Sequence, residues 1–215
     1  MKKAFTLAEI LICMAIIGAL GVVLMRSISN QNFDEKEYAL KAHKAMRLID
    51  EASAQIVQSE VEQVPAGAFM INTTGSWEYV ICSAANSCTN KATSQKLIDL
   101  YKKYIKFEST TSNFKSNYTG YSSAPTSIYG AKIPGEIYIG MQVNSNNSIT
   151  ACPSTVYIPA SELKTNETFV ASSAVDTSEK KCWGKIYIDT NGKKGPNELG
   201  KDVYVFGMGE FGIVK

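Results

Sequence analysis

Residues 5–25 read FTLAEILICMAIIGALGVVLM, an apolar run broken by a single charge, Glu9. Wound as an α-helix, this run is about 31 Å long at 1.5 Å per residue, which matches the roughly 30 Å apolar thickness of a bilayer. Lys2 and Lys3 precede the run and Arg26 follows it. That excess of positive charge predicts a cytoplasmic N-terminus, with the rest of the chain on the far side. A secretory signal peptide would have a shorter apolar core and a small-x-small cleavage site; here Leu24, Met25 and Arg26 stand where that site is wanted. A plain signal anchor explains the length but not the acid. Glu9 lies about one turn into the helix, where a carboxylate suits the positive end of the dipole and reaches toward the interface, so the segment tolerates it even without a role.

Lys2-Lys3-Ala4, then Phe5-Thr6-Leu7-Ala8-Glu9 and the aliphatic run, resemble the N-terminal signature of type IV prepilins and type II secretion pseudopilins. The resemblance implies a leader, 1–4, cut on the cytoplasmic side between Ala4 and Phe5, and N-methylation of the new Phe5 amine. It also implies that Glu9 pairs with the Phe5 amine of a neighbouring subunit. The physics agrees with that role: a charge buried between apolar helices is costly alone and is relieved by a partner. Such a pair sets axial register as a lone polar residue does in a coiled coil. Two departures from the family pattern are Ala4, where glycine is usual, and the lack of a mid-helix proline. Gly18 and Gly21 are small residues suited to helix contacts.

The fold implied is α+β and pilin-like: a long N-terminal helix, half transmembrane and half amphipathic, packed on a small and mainly antiparallel sheet. Its divisions are the leader 1–4, a transmembrane or filament-core helix 5–25, the amphipathic half 26–64 and a periplasmic domain 65–215. The function implied is a structural subunit of an inner-membrane-anchored helical filament, foremost of a type II secretion-like system. A type IV pilin acting in adhesion or DNA uptake, and a plain membrane-anchored periplasmic binding module, are the alternatives. Implied partners are copies of the chain, other pilin-like subunits, a prepilin peptidase/methyltransferase, the inner-membrane assembly machinery and, before assembly, membrane lipid. The implied location is the bacterial inner membrane, single-pass, and then a filament in the periplasm or on the cell surface.

Beyond the apolar run, 27–34 (SISNQNFD) is polar and weakly helical, and Asp34 suits a helix N-cap. From 35 to 63 a helical period returns, with Tyr38, Ala42, Ala45, Met46, Ile49, Ala52, Ser53, Ile56 and Val57 on one face. Pro65 and Gly67 end it. His43, among Lys41, Lys44 and Arg47, reads as part of a solvated face. A second amphipathic helix is predicted at 92–106, with Leu97, Ile98, Tyr101, Tyr104 and Ile105 inward. The stretch 108–131 is rich in Ser, Thr, Tyr, Asn and Gly and reads as a long exposed polar loop. Strands are predicted at 136–143, 155–158, 184–189, 202–206 and 210–214, from runs such as KIYID and DVYVF with period-two alternation.

The whole chain of 215 residues carries 22 Lys and Arg against 20 Asp and Glu, a net charge of +2. Near balance argues against a nucleic-acid binder. With one histidine, His43, multi-histidine metal sites are excluded. No G-x-S-x-G, H-E-x-x-H or phosphate loop occurs, so the reading is non-enzymatic.

Of five cysteines, Cys13 sits in the apolar run as a small apolar residue. Cys82, Cys88, Cys152 and Cys182 remain, and an even number in an exported domain favours disulfides. Three pairings are open; Cys82–Cys88 as a local loop and Cys152–Cys182 as a tie between later strands are preferred. Residues 189–202, DTNGKKGPNELGKD, gather oxygen donors: Asp189, Asn191, Asn197 and Asp202. Hard cations take six to eight oxygens, but Gly200 stands where an EF-hand needs its glutamate, and a hairpin with a long Asn/Gly/Pro turn needs no ion. The run also resembles the C-terminal stretches of pilin-like proteins, and major pseudopilins carry a calcium loop in about this place. The resemblance therefore implies Ca²⁺ held by these four residues.

Overall fold

In the computed structural model, residues 7–28, 32–59, 61–64, 68–73, 76–81, 93–144, 150–160, 172–209 and 212–214 are described. The chain divides into two compact units, Met1–Asp34 and Glu35–Lys215. The first holds helix α1, Leu7–Ile28. The second holds nearly all of helix α2, Asn32–Ser59, and everything after it.

The three- and four-residue steps read in 35–63 produce α2, with two corrections: the helix starts at Asn32, ahead of the expected Asp34 cap, and it ends at Ser59, because Val61–Val64 pairs as a strand instead of extending the amphipathic half to 64. Ala42, Ala45, Met46, Ile49, Ala52 and Ile56 are all buried, on one face, while Glu37, Lys44, Arg47 and Glu51 stand on the opposite one. The buried face shares a core with helix α3, Ser94–Tyr101, and with a six-stranded sheet. Thr93 caps α3 by accepting from the Lys96 amide. The helix is shorter than predicted because the chain tightens after Tyr101: Lys103 N donates to Leu100 O and Tyr104 N to Tyr101 O, both at 3.0 Å. Two hydroxyl pairs tie α3 and the turn after it to α2, Tyr101 to Ser53 and Tyr104 to Ser59, each at 2.7 Å. Burial pushes the Tyr101 phenol up to about 12.

The large sheet is antiparallel throughout. Its strands are β4 (Ser109–Thr111), β5 (Tyr129–Ile133), β6 (Ile137–Val143), β11 (Gly184–Asp189), β12 (Val203–Gly209) and β13 (Gly212–Val214). Their spatial order is β13-β12-β11-β6-β5-β4. Three smaller antiparallel sheets accompany it. One joins β1 (Val61–Val64), β2 (Ala68–Thr73) and β3 (Ser76–Ile81). Another pairs β7 (Thr150–Ala151) with β10 (Lys181–Cys182). The third pairs β8 (Thr155–Pro159) with β9 (Ser172–Asp176).

Period two sorts the large sheet's side chains between its faces. Met141, Ile186 and Phe206 stand opposite one another across three strands, as do Ile139, Ile188 and Tyr204. Both rows enter the core under α2 and α3. The alternate residues Tyr138, Tyr187 and Val205 point to the other face, where Phe114, Ala124 and Ile128 cover them. So 108–131 is not the exposed loop that its composition predicts. It contains β4 and the short helix α4, Phe114–Asn117, and it lays Phe114 on the sheet. Gly130 and Gly140 make the seat: a Cβ at either would lie 2.6 or 2.8 Å from the Phe114 ring.

The expected fold class requires correction. The N-terminal helical region is two helices, α1 and α2, assigned in the main to different units, and among the described residues no helix is long and apolar enough to cross a membrane. Among the described residues there is no single long N-terminal helix with a transmembrane half, and the antiparallel sheet is large, with six strands. The helix that shares the core is α2, whose outward face is charged. The same finding overturns the single-pass inner-membrane location.

Candidate functional site

Two regions carry the candidate chemistry, and the units hold one each. In the first, Ala4 and Phe5, the expected cleavage and methylation positions, lie outside the described residues. Glu9 falls within α1. Along that helix Ile10, Leu11, Ile12, Met14, Ile16, Ile17 and Leu20 are 47% to 69% exposed, and Cys13 is a free, exposed thiol. Isolated exposed apolar residues are ordinary; a large contiguous exposed patch marks a protein, membrane or ligand contact or an aggregation-prone surface.

In the second unit, residues 190–202 close the hairpin between β11 and β12, where Asp189 faces Val203. Both acids lie at its base and both are fully buried. Asp189 Oδ1 accepts from the amides of Asn191 (3.1 Å) and Gly192 (2.5 Å), and its Oδ2 accepts from the Thr119 hydroxyl at 2.5 Å. The Asn191-Gly192 turn depends on glycine: φ at Gly192 is +70°, and a Cβ there would meet the Tyr138 ring at 2.8 Å. Asp202 turns the other half of the loop, accepting from the amides of Asn197 (2.7 Å) and Glu198 (2.8 Å). The carbonyl of Asp202 takes the Thr190 amide and hydroxyl, both at 3.0 Å. Burial pushes the Asp189 carboxyl up to about 7; the three donors pull the other way and lose.

The four expected calcium ligands are therefore brought to one loop, with two kinds of standing. Each carboxylate oxygen of Asp189 and Asp202 already accepts at least one hydrogen bond from the protein. The side-chain oxygens of Asn191 and Asn197 are buried with no hydrogen-bond partner, which is unusual enough to need a cause. Two orphaned amide oxygens, in a loop that also holds two buried carboxyls, are of the donor types that a hard cation takes. Among the described residues no three His, Cys, Asp or Glu side chains gather as a metal cluster. The nearby cations do not oppose an ion: Lys193 is exposed, and Lys194 reaches outward to Glu136 at 3.0 Å.

Cys152 and Cys182 form a disulfide, S–S 1.95 Å, with Cα atoms 5.0 Å apart. The pairing of β7 with β10 brings them together, and the bond lies against Gly207, where a Cβ would meet Cys182 Sγ at 2.1 Å. Cys82 and Cys88 lie outside the described residues. Replacing Cys152 and Cys182 together by Ser is expected to cost about 2–4 kcal/mol, because the bond closes a loop of moderate length in the unfolded chain. The check is a lower denaturant midpoint, matched by reduced wild-type chain.

Sequence reasoning missed Thr119, which supports Asp189 from far along the chain, and Phe114. Phe114 had a signal: it is the one phenylalanine between 108 and 131. Thr119 had none, since a threonine in a polar run looks like its neighbours. No family model matches this chain, and neither a curated protein nor a solved structure is similar to it.

Proposed function

We propose that this chain is a structural subunit of a helical filament of the pilin type, whose copies associate through α1. The observation that carries the reading is the exposed apolar side chains all round that helix, Ile10 to Leu20, together with the N-terminal resemblance. Copies packed around this helix exclude water from it, at roughly 25 cal/mol for each Å² of apolar surface covered. Glu9 then sets how far one copy slides past the next, paired with the Phe5 amine of a neighbour. The partners are further copies, related subunits, a leader peptidase/methyltransferase and an assembly apparatus; the role is mechanical rather than catalytic.

The test is direct. The mature protein is expected to begin at a methylated Phe5 and to form fibres visible by electron microscopy, and Glu9→Val is expected to abolish incorporation. A mature chain lacking residues 5–25, or normal incorporation of Glu9→Val, refutes the proposal.

Within this class, the loop 189–202 favours a secretion-type subunit over a pilus-type one, with Ca²⁺ held by Asn191, Asn197, Asp189 and Asp202. When bound, the ion supplies the partner that the two amide oxygens lack and stabilises the loop. Adding Ca²⁺ to chelator-treated protein is expected to raise the thermal midpoint by several degrees, and Asp189→Ala to remove that rise. An unmoved midpoint refutes the calcium assignment and leaves the filament reading in place.

A further inference from the structure

The face of α2 turned away from the core carries charges at a seven-residue interval with alternating sign: Glu37, Lys44 and Glu51. Seven residues make nearly two turns, drifting only about 20°, so the three lie on one stripe. Glu37 and Glu51 side chains are 60% and 58% exposed. Each acid is steadied by a basic residue on its own helix, Glu37 by Lys41 at 2.7 Å and Glu51 by Arg47 at 3.5 Å. Lys44 differs. Its neighbours three and four residues away are Leu40, Lys41, Arg47 and Leu48, so its own helix offers it no acid and two like charges. Around it Leu40, His43, Lys44, Arg47, Leu48 and Glu51 line a shallow open depression of about 320 Å³.

We infer that this stripe is a contact between copies of the chain, and that it selects an axial displacement of one heptad, about 10 Å at 1.5 Å per residue. The inference rests on the filament reading above. Copies related by a screw axis present the same stripe to that axis, all pointing the same way. At zero displacement Glu37 meets Glu37 and Lys44 meets Lys44, which is repulsive. A shift of seven residues sets Glu37 of one copy beside Lys44 of the next, and Lys44 of the first beside Glu51. Lys44 thereby gains the acids that its own helix lacks, and Leu40 and Leu48 cushion the contact. A displacement of two heptads restores like-charge meetings of Glu37 with Glu51, so the alternation rejects it as well.

The experiment uses filaments grown from an equal mixture of ¹⁴N- and ¹⁵N-labelled full-length chain, treated with a zero-length carbodiimide cross-linker. Mixed-isotope links joining Glu37 to Lys44 or Lys44 to Glu51 are expected. Lys44→Glu is expected to lower filament yield about tenfold at low salt, and the exchanged triple Glu37→Lys, Lys44→Glu, Glu51→Lys is expected to restore it. Because the triple keeps the same stripe with every sign reversed, its recovery excludes a mere folding defect in Lys44→Glu. Filaments that form but give no mixed-isotope link at these positions, or that form normally with Lys44→Glu, overturn the displacement and leave the filament reading intact. A chain that makes no filaments overturns both.

Discussion

Phe114→Ala is expected to destabilise the second unit by about 3–5 kcal/mol, the range for removing a fully buried aromatic side chain. Phe114 is 1% exposed. Its ring lies over Gly130 and Gly140 and within 6.3 Å and 6.5 Å of the Tyr187 and Tyr118 ring centroids. The two glycines make the loss severe. A cavity usually shrinks as neighbouring side chains lean in; here the floor is bare backbone, held by the β5–β6 ladder, and cannot. The site also anchors Ala124 and Ile128 over Tyr187, so truncation uncovers one face of the sheet. Equilibrium denaturation measures the effect as a lower midpoint with an unchanged slope. Phe114→Leu is expected to recover more than half of the loss. A cost below about 1 kcal/mol for the alanine variant would show that the ring is not held on the sheet as described.

The second large effect concerns pH. Burial raises the Asp189 carboxyl from its ordinary 3.8 to about 7. The folded chain therefore holds this proton more tightly than the unfolded chain does. Between those two values the native state binds more protons, so stability falls as pH rises from about 4 to about 7 and is level above that. The full difference is on the order of 4 kcal/mol at 1.36 kcal/mol per unit. Other acids act in the opposite sense: Asp176, which accepts from the Ser178 amide, and Glu136, beside Lys194, are both held below their ordinary values. Comparison with Asp189→Asn isolates the one group. In chelator, the variant is expected to gain on the wild type steadily from about pH 4 to about pH 7 and to keep a constant margin above that, because an amide keeps an acceptor for the Asn191 and Gly192 amides and never ionises. Parallel stability profiles for the two proteins would refute the buried-carboxyl account. Added Ca²⁺ is expected to flatten the wild-type profile, since an ion at the loop favours the ionised acid.

Legibility in the sequence followed the range of the interaction. The helical period of 35–63 is a local property, and it placed Ala42, Met46, Ile49 and Ile56 on the core face. Alternation in KIYID and DVYVF likewise marked both runs as strands, and the β11–β12 register then set Ile186 beside Phe206. The strands β1 to β5, β7, β9 and β10 escaped notice: β1 continued a helical period, β4 and β5 lay in or beside a run read as a polar loop, and the two residues each of β7 and β10 are too few to show alternation. The cysteine pairing stood three ways open until β7, ending just before Cys152, paired with β10 and brought Cys152 within reach of Cys182.

The sequence by itself determined the amphipathic face of α2, the alternating sheet rows and the seven-residue charge stripe, because each is set by which way successive side chains point along one element. Only the tertiary structure decided that 108–131 folds over the sheet, that Thr119 meets Asp189, that both acids of the hairpin loop turn its backbone, and that the N-terminal helices form separate elements in different units. Those outcomes depend on which distant surfaces meet and on how much water they exclude, and no periodicity along the chain records either.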